Sequence, residues 1–379
     1  MSVALAEVRT YDVAVIRGAI ERSLADLDLS FAGARTAIVK PNIVTGRSPR
    51  SGVVTHPAVV EALVLLLRDA GVTRITIADG PGVGLDCDWV FERSGYRALA
   101  DRLGVELVTF NGAARRQREW KYGRVGVPEI LEDADLYINV PKMKTHGYTT
   151  VTLSMKNHKG MLSQADKKLD HHLGLHEPLA EQARLRPPDL IILDGIVGLE
   201  GDGPLNGKRV RSNLLAIGTN MLAVDATAAR HMGIEPTEVK HLVFASEKGL
   251  GTLEPEVVGE APIRRFVRAN EEYGRVGNIY SWRDCTACSM CIDSFSGAVS
   301  MAIREPRYWF TLVPKLAWWG LVGGLHIVQG REGRLPDRSG KVICFGKCTS
   351  TLADREGLTH VAGCPPTARE VAEALRKGL

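Results

Sequence analysis

No stretch of this chain offers the ~18 uninterrupted apolar residues that a bilayer-crossing helix needs. The nearest approach, Trp309 to Val328, is broken by Pro314, Lys315, Gly320 and the Gly323-Gly324 pair. A buried or docking segment is expected there, with contact to a membrane surface or a partner protein as the alternative. The opening residues, MSVALAEVRTYDVAVIRG, lack a basic run followed by an apolar one, so no secretory signal is expected and a reducing, cytoplasmic setting follows. Neither a G-x4-G-K-[ST] loop nor a G-x-G-x-x-G after a strand is found, so ATP and NAD binding are unsupported. Charge of one sign is scarce too. The 48 Lys and Arg against 44 Asp and Glu leave a net +4, too mild to argue for nucleic acid.

Cysteine is uncommon overall but concentrated. Six of the seven lie in the last quarter, three of them as Cys285-x2-Cys288-x2-Cys291. Two-residue gaps let three thiolates converge on one inorganic core, the spacing of iron–sulfur ligands. Zinc sites more often show two separated C-x2-C pairs, and disulfides need an oxidising compartment. Cys344, Cys348 and Cys364 follow, the last before Pro365, as in the remote Cys-Pro ligand of bacterial ferredoxins. Ser294 stands where that motif would place its nearby Cys-Pro. A 4Fe–4S cluster is therefore expected on Cys285, Cys288, Cys291 and Cys364. Cys344 and Cys348 are left to complete a second cluster with an open or non-cysteine iron position. Cys87, alone in the N-terminal part, reads as a packed thiol.

With 379 residues, 45% hydrophobic and 24% charged, the chain should hold two globular domains. Its character changes between about residues 235 and 280, so an α/β domain over 1–270 and an iron–sulfur domain over 271–379 are expected. In the first, short apolar runs alternate with helical stretches. The runs are Thr36–Lys40, Arg74–Ala78, Val105–Phe110, Leu136–Val140, Leu190–Leu193 and Leu214–Ile217. Between the first two, Val59, Val60, Leu63, Leu66 and Leu67 repeat at helical spacing, with Thr55 as the expected cap, Pro57 in the first turn and Gly71 as the stop. This alternation predicts an α/β fold with a mostly parallel sheet and helices on both faces.

Polar residues recur just after these runs. Lys40-Pro41-Asn42, Asp79-Gly80, Pro141-Lys142-Met143-Lys144-Thr145-His146 and Asp194-Gly195 each follow one. Ligands of open α/β sheets bind outside the carboxyl ends of the strands, so these loops would share one crevice. From Lys142 to Gly160 the basic groups Lys142, Lys144, His146, Lys156 and His158 alternate with threonines, and Lys156-Asn157 lies in an expected Gly-closed turn. Ammonium, hydroxyl and amide groups together suit a carboxylate or phosphate ligand, against the plainer reading of a solvated basic face. His172 and His176 are four apart, a metal-like spacing if helical, but no Glu-bearing partner motif accompanies them. Asp225 reads either as a candidate acid or cation ligand or as a buried, hydrogen-bonded helix residue.

Lys40-Pro41-Asn42, Asp79-Gly80-Pro81-Gly82, Asn139-Val140-Pro141-Lys142, Lys144-x-His146, Lys156-Asn157-x2-Gly160, Asp194-Gly195, Gly201-x-Gly203-Pro204 and Ala223-Val224-Asp225-Ala226 span most of residues 36 to 233. Together they resemble an uncharacterised iron–sulfur family, the domain of unknown function numbered three-sixty-two. The resemblance implies an α/β domain often joined to a ferredoxin-like 4Fe–4S module. This chain departs from the common form in having one triplet with no Cys-Pro close behind. Gly346-Lys347-Cys348-Thr349, Gly363-Cys364-Pro365-Pro366 and the final helix are also similar to the cluster-binding end of the small iron–sulfur subunit of hydrogenases and of NADH:quinone oxidoreductase. That similarity implies Cys364 as a ligand.

The function expected is an iron–sulfur oxidoreductase. It would pass electrons from a donor such as a ferredoxin or flavodoxin to an anionic or carbonyl-bearing small molecule. Lys40, Asn42, Asp79, Lys142, Lys156 and Asn157 would bind that molecule. His146, as proton donor near neutral pH, with Lys144 and Asp194, would act on it. The alternatives are an electron carrier that docks through Trp309–Val328, or a non-redox enzyme with a structural cluster.

Overall fold

The computed structural model describes residues 1–270, 272–282, 290–331, 333, 335–337 and 339–377. It forms two compact units, Met1–Asp170 with Leu175–Arg268, and Ala269–Leu379 with His171–Gly174. None of the described helices is long and apolar enough to cross a membrane.

The first unit is built on twelve strands: β1 (Ser2–Glu7), β2 (Thr36–Pro41), β3 (Arg74–Asp79), β4 (Glu106–Thr109), β5 (Arg115–Trp120), β6 (Gly123–Pro128), β7 (Leu136–Val140), β8 (Lys142–His146), β9 (Thr150–Thr152), β10 (Leu190–Glu200), β11 (Lys208–Gly218) and β12 (Glu256–Val258). β5 and β6 form a separate hairpin. The others make one sheet of order β12-β1-β11-β10-β7-β2-β3-β4, with β8 joined to β10 and β9 to β8. β10, β7, β2, β3 and β4 are parallel, and β11 runs against both neighbours.

Alternate residues of the same strands serve two cores, as the two-residue period of a strand requires. Val39, Ile77, Ile138, Ile192 and Ile217 pack with the helices Val13–Asp26 and Pro57–Asp69. Ile191, Leu193, Leu214 and Ala216 pack on the other face with the helix Met221–His231. Strand runs apolar on both faces, with helices covering each, are the signature of a buried, mostly parallel sheet. The helix Pro57–Asp69 buries Val59, Val60, Leu63 and Leu67 completely. Each contributes roughly 1.5–3 kcal/mol by leaving water, and Leu63→Ala would cost about 2–5 kcal/mol.

Four local expectations need correction. The cap of that helix is His56, whose ring accepts from Ala58 N, while Thr55 turns inward to donate to Val140 O at 2.7 Å. Lys142–His146 is a strand, not a loop, because β10 runs past Leu193 to Glu200 and gives it a pairing edge. Lys156-Asn157 sits in a short helix, Ser154–His158, rather than a turn. His172 and His176 do not share a helix: the chain breaks at Gly174 and Leu175, whose φ angles are 84° and 40°.

The second unit has its own five-stranded sheet of order β13 (Tyr273–Val276), β14 (Ile279–Trp282), β15 (Leu325–Val328), β16 (Lys341–Phe345) and β17 (Thr359–Val361). All neighbours are parallel except β13 with β14. Phe295, Ala298 and Ala302 of the helix Met290–Arg304, and Val371, Ala372 and Leu375 of the helix Ala368–Lys377, pack against Ile327, Ile343 and Phe345. The Trp309–Val328 segment divides in two. Its end is the buried strand β15, while Trp309, Phe310, Trp318, Leu321 and Val322 are 50–90% exposed.

Candidate functional site

In the first unit the expected residues gather around the carboxyl ends of β2, β3 and β7, with Lys142 and Lys144 on β8 and Asp194 within β10. Lys40 ends β2 and Asp79 ends β3, and Lys40 Nζ lies 2.7 Å from Asp79 Oδ1 with both side chains buried. The other Asp79 oxygen accepts from Ile43 N at 2.7 Å. Gly160 presses on this pair: a Cβ there would stand 2.6 Å from both Lys40 Nζ and Asp79 Oδ1. Only a bare α-carbon allows the backbone so close.

A second pair joins β8 to β10. Lys142 Nζ donates to Asp194 Oδ2 at 2.7 Å, and neither side chain reaches solvent. Tyr11 donates to Asp194 Oδ1 at 2.9 Å, accepts from Lys142 at 2.9 Å, and stacks on His56 at 3.7 Å between ring centres. His56 N gives Asp194 a further bond of 2.9 Å. Burying an ion pair is tolerated when its remaining lone pairs are satisfied, which is the arrangement here.

Between the pairs runs an amide chain. Lys144 Nζ donates to Asn42 Oδ1 at 2.7 Å and to Val53 O at 2.8 Å. Asn42 donates to Asn157 at 2.9 Å, and Asn157 to Asn139 at 2.7 Å. Tyr11, His56, Asn139 and Lys167 are the residues missed from sequence. Asn139 carried a signal, standing directly before Val140-Pro141-Lys142. Lys167, on a helix far along the chain, gave none; it donates to Gly80 O at 2.8 Å.

These lysines are electrically unequal. Burial pushes Lys40 and Lys142 down from the usual lysine value, and their aspartates oppose that shift. Lys144 has no carboxylate partner among the described residues; burial, helped by the nearby Lys142, lowers it to about 7. Burial brings Lys167 to about 7 as well. Lys156, partly exposed, is pushed well below its ordinary value by desolvation and by the charges of Lys159 and Lys144.

His146 is buried, and its Nδ1 accepts from Tyr148 N at 2.9 Å and Thr149 N at 3.1 Å. Its hydrogen is therefore on Nε2, the atom that would deliver a proton. Asp225 is the buried, hydrogen-bonded helix residue. It accepts from Ser154 N, Ser154 Oγ and Met155 N, and burial still raises it to about 7. Cys87 is a partly buried thiol that accepts from Thr109 and Asn111.

In the second unit Cys285 and Cys288 lie outside the described residues. Cys291 opens the buried face of its helix, and Cys348 follows β16. Both sulfurs converge on Gly346. A Cβ there would meet Cys291 Sγ at 3.0 Å, Cys348 Sγ at 3.4 Å and Gly363 O, next to Cys364, at 3.8 Å. Cys364 itself is exposed. Cys344 stands apart. It faces Val328, Leu352 and Ala353, on the side of β16 opposite Ile343 and Phe345. Burial, with Cys348 nearby, raises its thiol to about 11. Among the described residues no group of three or more His, Cys, Asp or Glu is placed to hold a metal ion.

The thylakoid-associated protein sll1697 of Synechocystis sp. (strain ATCC 27184 / PCC 6803 / Kazusa) is 30% identical over 226 residues, 58% of this chain and 70% of its own. Among solved structures, the lactate racemase apoprotein of Thermoanaerobacterium thermosaccharolyticum aligns with 99% of this chain and 90% of its own, at 12% identity and a TM-score of 0.42. A Thermotoga maritima protein aligns with 92% and 91%, at 10% identity and a TM-score of 0.39. Both are loose likenesses of shape. Residues 38–230, which carry every candidate residue from Lys40 to Asp225, match the family described as Domain of unknown function (DUF362), and the chain belongs to that family.

Proposed function

We propose that the chain is an iron–sulfur oxidoreductase whose first unit binds an anionic or carbonyl-bearing small molecule at the strand ends. The observation that carries this reading is the convergence of Cys291 and Cys348 on the bare α-carbon of Gly346. Two soft donors facing a backbone without a side chain form a cradle of the kind a cluster fills, and thiolate sulfur is the donor such clusters take. Cys291 and Cys348 would hold the cluster together with Cys364 and the expected Cys285 and Cys288. Cys344, in an apolar pocket on the other side of β16, is left out. A bound cluster supplies single electrons at a potential set by its surroundings. Its thiolates favour a reducing compartment such as the cytoplasm, and a small ferredoxin or flavodoxin would serve as donor.

In the first unit the paired lysines shape the site and the unpaired ones give it positive potential. Lys156 reaches solvent and would meet an incoming carboxylate, while His146 Nε2 carries the proton a reduced carbonyl oxygen takes up. The test is anaerobic reconstitution followed by iron and sulfide counting, with EPR before and after dithionite. About four irons with a signal that appears on reduction are expected. Unchanged iron content in Cys291→Ser and Cys348→Ser would overturn the cluster assignment.

A second reading draws on the exposed Trp309, Phe310, Trp318, Leu321 and Val322, which Arg307 and Lys315 accompany. Aromatic and aliphatic side chains beside basic ones suit the interface of an anionic membrane. A relative named as thylakoid-associated agrees with this. The chain would then be an electron carrier docked at a membrane surface. Flotation with anionic vesicles should be lost in a Phe310→Ser, Trp318→Ser double variant; a wild-type chain that stays unbound removes this reading.

A further inference from the structure

Beside the strand ends lies a group of polar side chains that no pairing described above accounts for. Lys156 projects from the helix Ser154–His158 and makes no hydrogen bond or ion pair among the described residues. His176 and His241 begin two other helices, His176–Gln182 and Lys240–Glu247, with ring centres 6.1 Å apart. Tyr148 lies 5.3 Å from His176 on its other side. His241 is completely buried and neither ring nitrogen has a partner; Nδ1 of His176 also lacks one. Buried polar atoms without partners are rare in folded proteins and mark places where something else binds.

The neighbouring acids are engaged elsewhere. Glu177 is held by Lys121, Tyr122 and Lys248, and Glu181 by Lys248. Lys159 faces Asp170 at 3.5 Å. The remaining group therefore has an amine, two imidazoles and no carboxylate. Burial holds His176 at about 4 and His241 well below the usual histidine value, with the charge of Lys156 adding to both shifts, so both rings are neutral at pH 7. A lysine made nucleophilic at neutral pH needs desolvation or a neighbouring cation, and Lys156 has both.

We propose that Lys156 is an amine nucleophile that forms an imine with a small 2-oxo acid, in a pocket completed by His176 and His241. This rests on the reading that the first unit binds a carbonyl-bearing anion. The Nζ lone pair attacks the carbonyl carbon as the C=O π pair moves to oxygen. A proton passes from nitrogen to that oxygen through a neutral imidazole, which accepts at one nitrogen and donates at the other. A second proton, taken from bulk water, lets that oxygen leave as water as the C–O bond breaks, while the nitrogen lone pair closes the C=N bond in its protonated form. No oxidant or reductant is consumed. The ligand's carboxylate would balance the positive potential of Lys144 and the charge of the protonated imine.

The test is borohydride trapping of the whole chain with pyruvate at pH 7, followed by peptide mapping, before and after cluster reconstitution. The reduced adduct is expected on Lys156 at roughly tenfold or more the level on exposed lysines such as Lys121. Lys156→Gln should abolish it, and His241→Gln should lower it severalfold. Wild-type mapping decides the matter even if a variant fails to fold. An adduct spread evenly over surface lysines would overturn the inference, and iron loading in the same sample would leave the cluster reading standing. An adduct on Lys156 without iron loading would do the reverse.

Discussion

The sheet of the first unit ends in charges, whereas the sheet of the second ends in thiols. Lys40, Asp79, Lys142 and Asp194 are almost wholly buried, yet each cation meets its carboxylate at 2.7 Å, so the sheet compensates its own charges. Cys291 and Cys348 instead face the bare α-carbon of Gly346, where a Cβ would stand 3.0 and 3.4 Å from their sulfurs. The first arrangement is complete as it stands and leaves reactivity to the few groups outside the pairs. The second, on the reading proposed above, would be completed by a cluster taken from solution. Sequence motifs of similar density can therefore mean paired, buried charges in one unit and sulfurs gathered at a bare backbone in the other.

The largest test of this contrast lies in the second unit. Cys291→Ser and Cys348→Ser should each lose nearly all reconstituted iron, while Cys344→Ala should keep it, as read by iron counting and the visible spectrum. Equal losses in all three would bring Cys344 back into the ligand set. Next come the pairs of the first unit. Asp194→Asn leaves Lys142 buried against a neutral amide and should cost about 3–5 kcal/mol in urea unfolding. The double change Asp194→Leu, Lys142→Met should recover much of that loss. Gly160→Ala should cost about 1–3 kcal/mol, because its methyl group would stand against Lys40 and Asp79. A neutral result there would show that the Lys40–Asp79 pair has room to move.

The smallest effect is a slope. Lys144 and Lys167 fall from 10.5 to about 7 on folding, so the unfolded chain binds more protons between those values. Stability of the first unit should therefore rise from pH 7 towards pH 10, by at most about 1.4 kcal/mol per pH unit for each lysine. Lys144→Met should flatten its share. Asp225 works in the opposite sense below pH 7. Its folded value is raised to about 7, so its contribution is present in acid and is lost as the pH climbs through that value. Urea midpoints across a pH series would show both.

Much of the first unit was readable because its strands are apolar on both faces and its helices carry ordinary stops. Leu136–Val140 is a strand over the expected residues, and Gly71 and Gly233 follow their helices with φ angles of 89° and 72°. β8 was hidden because its sequence, Lys-Met-Lys-Thr-His, is polar on a face that lies buried. It is a strand because β10 extends on one side of it and β9 pairs on the other, while Asp194 and Asn42 take up its charges. The gathering of Lys40, Asn42, Asp79 and Lys144 was legible from their places after successive strands. Which lysine pairs with which aspartate was not, since pairing depends on strand order, and β7 lies between β2 and β10. Cys344 looked equivalent to Cys348 by spacing alone. The two-residue alternation of β16 turns Cys344 away from the face that packs with Cys291, while Cys348 lies in the turn beyond the strand.

β1 is held between residues 214–218 on one side and 256–258 on the other. During synthesis, β1 must therefore wait for more than two hundred residues before either neighbour exists. Such long-range closure is slow, and until it occurs Val3 and Leu5 present an unsatisfied apolar edge to whatever is nearby. All six cysteines of the second unit are translated after that closure becomes possible, so any cluster they take up would follow the closing of the first unit's sheet. A chain arrested before residue 256 should bind chaperones strongly and iron not at all.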